Sequence, residues 1–361
     1  MPSESPRLLF VPVSGPYGMG EYARSVAIAH AAQARWPRAA IRFLLSREAP
    51  YAADPPFDAT LLPASPTRCT AQVNAAIAAF APDVVIFDNA GRTAQLRAAR
   101  AAGAAVVFVS ARRRQRRRAG RLRWLRLIDQ HWIAYPRVLD AAPGPLETLK
   151  RRVLRRPAPR HLDVILPPAD PARRARGFTE LALAAPPVLV VPGGGTGHPG
   201  AEDASRRFAE AAVDLASGGI ATVFVGPSEP STGADPPALR RRRSLPQAEL
   251  IELMRGARLV VANGGSTMVQ AIGCAVPCLA VPIARDQRAR IGRAVAAGIA
   301  ARAPLDPGAI ARAARGLLAD EAARAALVHR AAATGFADGR AIALEGLEAL
   351  LARRRGGAAR S

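Results

Sequence analysis

LVVANGGSTMVQAIGCAVPCLAVPIA, residues 259–284, is the longest run of the chain without a charged side chain. It is long enough to cross a bilayer, which takes about 20 apolar residues. Yet it holds Asn263, Gly264, Gly265, Gln270, Pro277 and Pro282, and no spanning helix tolerates that many breaks and polar groups. Two short apolar runs, 259–262 and 278–281, flank a loop and a helical stretch. The segment therefore reads as strand, loop, helix and strand, the pattern of a parallel sheet covered by helices on both faces.

The same alternation extends in both directions. Toward the N-terminus it predicts strands at 188–191 and 221–225, and beyond 284 a further one at 299–303. The first half repeats the pattern at 8–13, 41–45, 84–87, 105–109 and 131–135. Between 20 and 35, Ala23, Val26, Ala27, His30 and Ala34 fall on one helical stripe, so a first crossover helix is expected with His30 packed in the core. At 361 residues the chain is too long for one ordinary core and suits two domains. The fold class is α/β, with domains at 1–170 and 178–337. The Pro- and Arg-rich stretch 136–187 reads as the connection between them. Residues 338–361 would form a last helix, about 339–354, able to pack back across the cleft, and a disordered basic tail from Arg353.

Half of the residues are hydrophobic and 22% are charged, the composition of a folded globular protein. The formal net charge of +23 resembles a nucleic-acid signature, but 50 of the 51 basic residues are arginine, with Lys150 the only lysine. With so much Ala, Gly and Pro, that bias fits a GC-rich coding preference, and much of the charge is a solubilising background. No nucleic-acid partner is expected, because that reading leaves the glycine loops described below without a use. Cys69, Cys274 and Cys278 cannot build a disulfide framework, and no secretion signal is readable, so a reducing, cytoplasmic setting is expected.

Two glycine loops carry the chemistry. The first, Pro192, Gly193, Gly194, Gly195, Thr196, Gly197, His198, Pro199, Gly200, follows a strand and precedes a helix near Ala201. Small residues let backbone N–H groups approach a phosphate, and the helix N-terminus adds a favourable dipole. Gly195, Gly197 and Gly200 formally spell a dinucleotide fingerprint, but the next strand ends at Gly226, Pro227 and Ser228 without the acid that would hold a ribose. A Walker A loop is excluded because no lysine is near; a tight strand-to-helix turn is the plainer alternative. The second loop, Asn263, Gly264, Gly265, Ser266 and Thr267, again joins a buried strand to a helix. Gln270 lies one turn on, and Asp286 and Gln287 follow the next strand. Two anion cradles and several hydroxyl-binding side chains on one sheet edge form the inventory for a sugar nucleotide.

The run Gly264, Gly265, Ser266, Thr267, then Gln270, Pro277, Pro282, Asp286 and Gln287 resembles the donor-binding signature of GT-B glycosyltransferases. It is closest to glycosyltransferase family 28, which includes the UDP-GlcNAc transferase of peptidoglycan synthesis, and to the related UDP-sugar hydrolase of pseudaminic acid synthesis. The resemblance covers about 160 residues of the second half well and the first half in outline. It implies two Rossmann-like domains facing across a cleft, the first on the acceptor side and the second holding the nucleotide-sugar. Gly193, Gly194, Gly195 and Thr196, with Gly265, Ser266 and Thr267, would hold the donor diphosphate, and Asn263 and Gly264 would also be donor-binding. The backbone near Leu245 and Pro246 would face the base, and Asp286 and Gln287 the donor sugar. Transfer with inversion of a hexose or N-acetylhexosamine from a UDP-sugar is the implied reaction. No metal is called for, since the usual Asp-x-Asp clamp is absent, and no cofactor beyond the donor.

This sequence departs from those relatives at two places. Gln270 stands where many have Glu, and an amide can accept from one ribose hydroxyl but must donate to the other. In the loop after the first strand, Gly18, Gly20 and Arg24 keep the pattern of a phosphate or acceptor loop, but Glu21 replaces a histidine. Glu21 is a candidate general base for an acceptor hydroxyl, or an acid placed to suit the helix dipole. Asp88, at the end of 84–87, is the second candidate, or a turn and capping residue. The alternatives are a UDP-sugar hydrolase or epimerase of the same fold and an inactive nucleotide-sugar-binding protein.

Arg112, Arg113, Arg114, Arg116, Arg117, Arg118, Arg121, Arg123 and Arg126 form a run without an acid, interleaved with Leu122, Trp124, Leu125, Leu127 and Ile128. Such a patch suits an anionic membrane surface, the inner face of the plasma membrane, and a lipid-linked acceptor, or is a solvated loop in an Arg-rich chain. Arg240 to Arg243 reads as a solvated surface run, Cys274 and Cys278 as packing residues. His131, His161 and His329 sit in no motif.

Overall fold

In a computed structural model, which describes residues 5–16, 19–141, 144–193, 203–227 and 234–358 and their side chains to 354, the chain divides into two units. The first comprises Met1–Arg137, Ala141–Ile165 and Ala337–Ser361, the second Val138–Asp140 and Leu166–Phe336.

The first unit is built on strands β1 (Arg7–Pro12), β2 (Ala40–Ser46), β3 (Asp58–Leu62), β4 (Val84–Asp88), β5 (Ala105–Ser110), β6 (Gln130–Ile133) and β7 (Arg160–His161). Leu8, Leu9, Phe10 and Val11 are all fully buried, as expected of a strand covered on both faces by helices. These helices are α1 (Gly20–Arg35), α2 (Thr70–Phe80), α3 (Thr93–Ala101), α4 (Arg113–Ala119), α5 (Leu122–Leu125) and α6 (Pro145–Val153). All pairings are parallel, in the order β3-β2-β1-β4-β5-β6-β7.

The second unit carries α7 (Pro171–Glu180), β8 (Val188–Val191), α8 (Ala204–Ser217), β9 (Thr222–Val225), β10 (Leu239–Arg242), α9 (Gln247–Gly256) and β11 (Leu259–Asn263). It continues with α10 (Ser266–Gly273), β12 (Cys278–Val281), α11 (Arg285–Ala296), β13 (Ala301–Arg302), α12 (Pro307–Ala319) and α13 (Glu321–Ala333). Its sheet, also parallel throughout, runs β10-β9-β8-β11-β12-β13. In both sheets the chain winds outward from a central strand, returns past it and winds the other way. The carboxyl ends of β1 and β4, and of β8 and β11, are thus topological switch points, where open α/β sheets bind ligands.

Several expectations change. The crossover helix buries Tyr22, Arg24, Ser25, Ile28, Ala29 and Ala32, while His30 is exposed and lies against the Phe57 ring at 4.8 Å. The stripe through Ala23, Val26, Ala27, His30 and Ala34 is not the inward face, because the face that is buried carries an arginine and so does not stand out as apolar. The stretch 136–187 is not a plain connection, since α6 and β7 belong to the first unit and α7 to the second. Arg240 and Arg241 stand in the edge strand β10, where Arg241 pairs with Asp235 at 2.7 Å. The last helix, α14 (Gly339–Ala358), is part of the first unit. Its Ala343, Leu347, Leu350 and Leu351 join the core formed with α1 and β1, and the helix runs through most of the stretch expected to be disordered.

Candidate functional site

At the first switch point, β4 ends on Asp88, buried to 1% exposure, and α1 brings Arg24 to it. The Arg24 guanidinium donates from Nε to Asp88 Oδ2 at 2.8 Å and from Nη2 to Oδ1 at 2.7 Å. Burial pushes the Asp88 carboxyl up to about 6, against the pull of Arg24 and helped by Glu21. Burial disfavours the Arg24 charge, but Asp88 outweighs it and holds the guanidinium charged. Both oxygens of Asp88 are thereby engaged away from solvent, so Asp88 positions the loop and Arg24 is its counter-ion. Asp88 thus offers neither oxygen freely to a substrate hydroxyl, and Arg24 is itself buried.

Glu21, in the first turn of α1, is the more open group. Its Oε1 accepts from Asn89 Nδ2 at 2.7 Å. Asn89 is held in turn: its φ is 51°, its Oδ1 accepts from the Ala111 amide at 2.8 Å, and its own N–H donates to Val109 O. Asparagine is one of the few residues that adopts this left-handed backbone readily. Beside Glu21 the rings of Tyr22 and Tyr51 stack at 3.9 Å. Burial, then Glu21 and Tyr22, hold the Tyr51 phenol well above its usual range, and among the described residues its hydroxyl has no hydrogen-bond partner. Asn89 and Tyr51 escaped the sequence reading; an asparagine directly after a strand-terminal aspartate is the one signal that points to them. Gly20 opens α1, and Gly18 lies outside the described residues.

At the second switch point a lock made of amides replaces the ion pair. Asn263, closing β11, donates from Nδ2 to Pro192 O at 2.6 Å and accepts the Gly265 N–H at 2.8 Å. Gln287 Oε1 accepts from Gly264 N–H at 3.2 Å and Ile283 N–H at 3.0 Å. Arg290 donates from Nη1 to Gly264 O at 2.6 Å, and its Nη2 lies 3.6 Å from Asp286. These bonds tie together the ends of β8, β11 and β12. Gly193, at φ 83°, leaves room for Asn263: a Cβ there would overlap Nδ2. At Gly264 a Cβ would come within 2.7 Å of Ile291 Cδ1.

From this locked loop α10 starts at Ser266, with no side-chain cap among the described residues. The first N–H groups of a helix have no partner within it, so such a start offers donors that an anion could accept. Ser266, Thr267 and Gln270 lie half-buried along α10 and Asp286 is exposed in the first turn of α11. Asn263 and Gln287, expected to touch the donor, give their side-chain oxygens to backbone N–H groups around the loop. Arg290, one turn beyond Asp286, escaped the sequence reading because i,i+4 spacing to an acid looks like an ordinary helix pair. Leu245 is not gathered here, as it lines a small cavity with Gly177, Leu181 and Leu253 of the α7–α9 side. Gly194, Gly195 and Thr196 lie outside the described residues.

The arginine run occupies α4 and α5, but its apolar partners are mostly core. Trp124 is 1% exposed, donates to Thr93 Oγ1 at 3.1 Å and meets the Phe108 ring edge-on at 5.1 Å. Leu125 and Ile128 are buried too, leaving Leu122 exposed. Among the described residues no cluster of three or more His, Cys, Asp or Glu could hold a metal ion, and no helix is long and apolar enough to cross a membrane.

No protein-family model and no curated protein sequence matches the chain. Solved structures do. The glycosyltransferase VinC in complex with dTDP superposes with a TM-score of 0.68 at 17% identity, over 96% of this chain and 100% of that one. MurG of Acinetobacter baumannii gives 0.56 at 14%, over 90% and 94%. A Listeria monocytogenes protein described as a UDP-N-acetylglucosamine 2-epimerase gives 0.61 at 13%, over 93% of each chain. With two doubly wound parallel sheets in its two units, this chain has the GT-B fold.

Proposed function

We propose that the protein is a glycosyltransferase that moves a hexose or N-acetylhexosamine from a UDP-sugar to an acceptor hydroxyl in cell-envelope or polysaccharide synthesis. The observation that carries this reading is the uncapped N-terminus of α10 on the locked Asn263–Gly265 loop of a GT-B sheet. Charge developing on the departing diphosphate would meet backbone N–H donors and a helix dipole already in place, which is where most catalytic stabilisation of a leaving group comes from. In this reading the clamp needs no divalent metal. Ser266, Thr267 and Gln270 would serve the phosphates and ribose, and Asp286 the sugar. Glu21, oriented by Asn89, would take the acceptor's proton as the new glycosidic bond forms and the diphosphate leaves with inversion.

The likeness to an epimerase favours a second reading, in which the same donor site serves a UDP-sugar epimerase or hydrolase. Calorimetry and thermal shift with UDP, GDP, dTDP, ADP and NAD test the donor site first. A nucleotide at 100 times its Kd adds about 2.7 kcal/mol of stability, a shift of several degrees. UDP is expected to stabilise the protein, and Ser266→Trp to abolish the effect. Silence from every nucleotide, or a response to NAD alone, refutes the donor site. Rapid turnover of a UDP-sugar without acceptor would select the hydrolase or epimerase.

A further inference from the structure

Helix α6 is seated on the first unit by a polar group. Its apolar side chains face water: Leu146, Leu149 and Val153 are 62%, 57% and 71% exposed. Only Arg151 of this helix is buried. A helix of nine residues is marginal in water by itself, and a surface helix is ordinarily held by an apolar stripe. Here a buried guanidinium stands in for the stripe, so the seating of α6 depends on the group that receives it.

That group is His131 of β6, itself 3% exposed. Arg151 donates from Nη2 to His131 Nδ1 at 3.0 Å, from Nη1 to Pro157 O at 3.2 Å and from Nε to Glu147 Oε1 at 3.3 Å. A guanidinium has donors only, so His131 is neutral with a bare Nδ1, and its Nε2–H donates to Ser110 Oγ at 2.8 Å. A proton on Nδ1 would set donor against donor and charge against like charge across the same short contact. The surrounding groups do not relieve this. Arg116 of α4 and His161 of β7 add to the positive side. Asp129 and Arg156 border the small cavity beside the ring, but Asp129 pairs with Arg100 at 2.6 Å and Arg156 donates to Arg126 O at 2.9 Å. Glu147, on α6 itself, is engaged by Arg151. Burial first, then Arg151, Arg116 and His161, hold the imidazole well below its usual range.

We propose that His131 is a proton-operated latch: its neutral ring seats α6 through Arg151, and protonation of the ring releases the helix from the first unit. Once α6 is released, the imidazole returns to its ordinary range near 6.5, so the released state takes up a proton that the seated state refuses. Seating is therefore complete above about pH 6.5 and weakens as pH falls below it. Uptake of one proton raises the opening constant of α6 roughly 25-fold between pH 7 and pH 5. The latch adjoins the first switch point, since Ser110 is followed by Ala111, whose N–H holds Asn89 beside Glu21.

Hydrogen exchange of the full-length protein tests this, read by mass spectrometry on peptides covering 145–153 and expressed as protection relative to the unstructured chain at each pH. It needs neither nucleotide nor acceptor, so its outcome is independent of the transferase reading. Protection of α6 is expected to fall by roughly that 25-fold factor from pH 7 to pH 5, while α3 of the same unit holds. His131→Gln keeps an acceptor for Arg151 and a donor for Ser110 but has no proton to gain, so its α6 should be protected alike at both pH values. Arg151→Met should leave α6 unprotected throughout and let the His131 ring, followed by NMR, titrate closer to its usual range. Equal protection of wild-type α6 at pH 5 and pH 7 overturns the proposal, as does a His131→Gln variant that loses protection in acid as the wild type does. Should the glutamine variant not fold, a His131 titration left unchanged by Arg151→Met overturns it instead.

Discussion

The two switch points solve one problem with different chemistry. In both, a strand end, a loop and the following helix must be held rigid at the edge of a parallel sheet. The first unit does it with a buried ion pair, Arg24 and Asp88, whose carboxyl can take up a proton. In the second, two carboxamides, Asn263 and Gln287, share the work with Arg290, and neither amide carries a proton to lose. The bracing of the first site therefore includes a group that titrates, while the two carboxamides that brace the second do not.

Removing one charge from the ion pair should have the largest effect. Arg24→Met strands Asp88 as an uncompensated buried carboxylate and should cost about 3–5 kcal/mol in urea unfolding at neutral pH. Arg24→Met/Asp88→Leu should recover to within about 1 kcal/mol of wild type, since a well-packed apolar pair often matches a buried ion pair. If the double variant is as unstable as the single one, the pair is not an isolated ionic unit.

A pH series probes the same contrast. Asp88 is raised from 3.8 to about 6 in the folded protein, so the folded state binds its proton more tightly than the unfolded chain does. Its contribution to stability is therefore complete below about pH 4 and is lost as pH rises through about 6, amounting to ~3 kcal/mol at most. Wild type minus the double variant, measured from pH 4 to 7, should show that fall; a flat difference would remove Asp88 as a titrating group.

Glu21→Gln comes next. Turnover should fall at least ~100-fold if Glu21 is the base, with UDP stabilisation untouched because the donor site proposed above draws on residues of the other unit. Near-normal turnover removes the role from Glu21. The amide lock gives the smallest effects and the clearest internal contrast. Asn263→Asp sets an acceptor against Pro192 O and should cost about 1–3 kcal/mol together with UDP stabilisation. Gln287→Glu keeps the oxygen that accepts from two backbone amides and should stay within about 1 kcal/mol of wild type. Equal losses in the two variants would mean that the lock is not built as described.

Legibility in the sequence varies element by element. The central strands are readable because a parallel strand buried on both faces must be a continuous apolar run, as in 8–11 and 259–262. The edge strands β3, β7 and β10 are not, because an edge strand has one neighbour, is short and tolerates arginine, so it imitates a loop. Gly264 and Gly265 are legible, since a glycine pair directly after a buried strand serves a close approach to the backbone. That Asn263 and Gln287 face inward is not, because an amide at a loop reads equally well as a ligand or as a brace.

The class of fold, two parallel sheets with a small-residue loop after β8 and β11, follows from the chain read alone, because hydrophobic periodicity and glycine placement are local properties. The use of each polar group waits for the folded molecule: that Arg24 belongs to Asp88, that Asn89 holds Glu21, that Trp124 is core, and that α6 turns its leucines outward. Several of those choices join residues far apart in the chain; Asn263 and Pro192 are 71 positions apart. A partner that distant is selected by strand order and helix packing rather than by any local pattern.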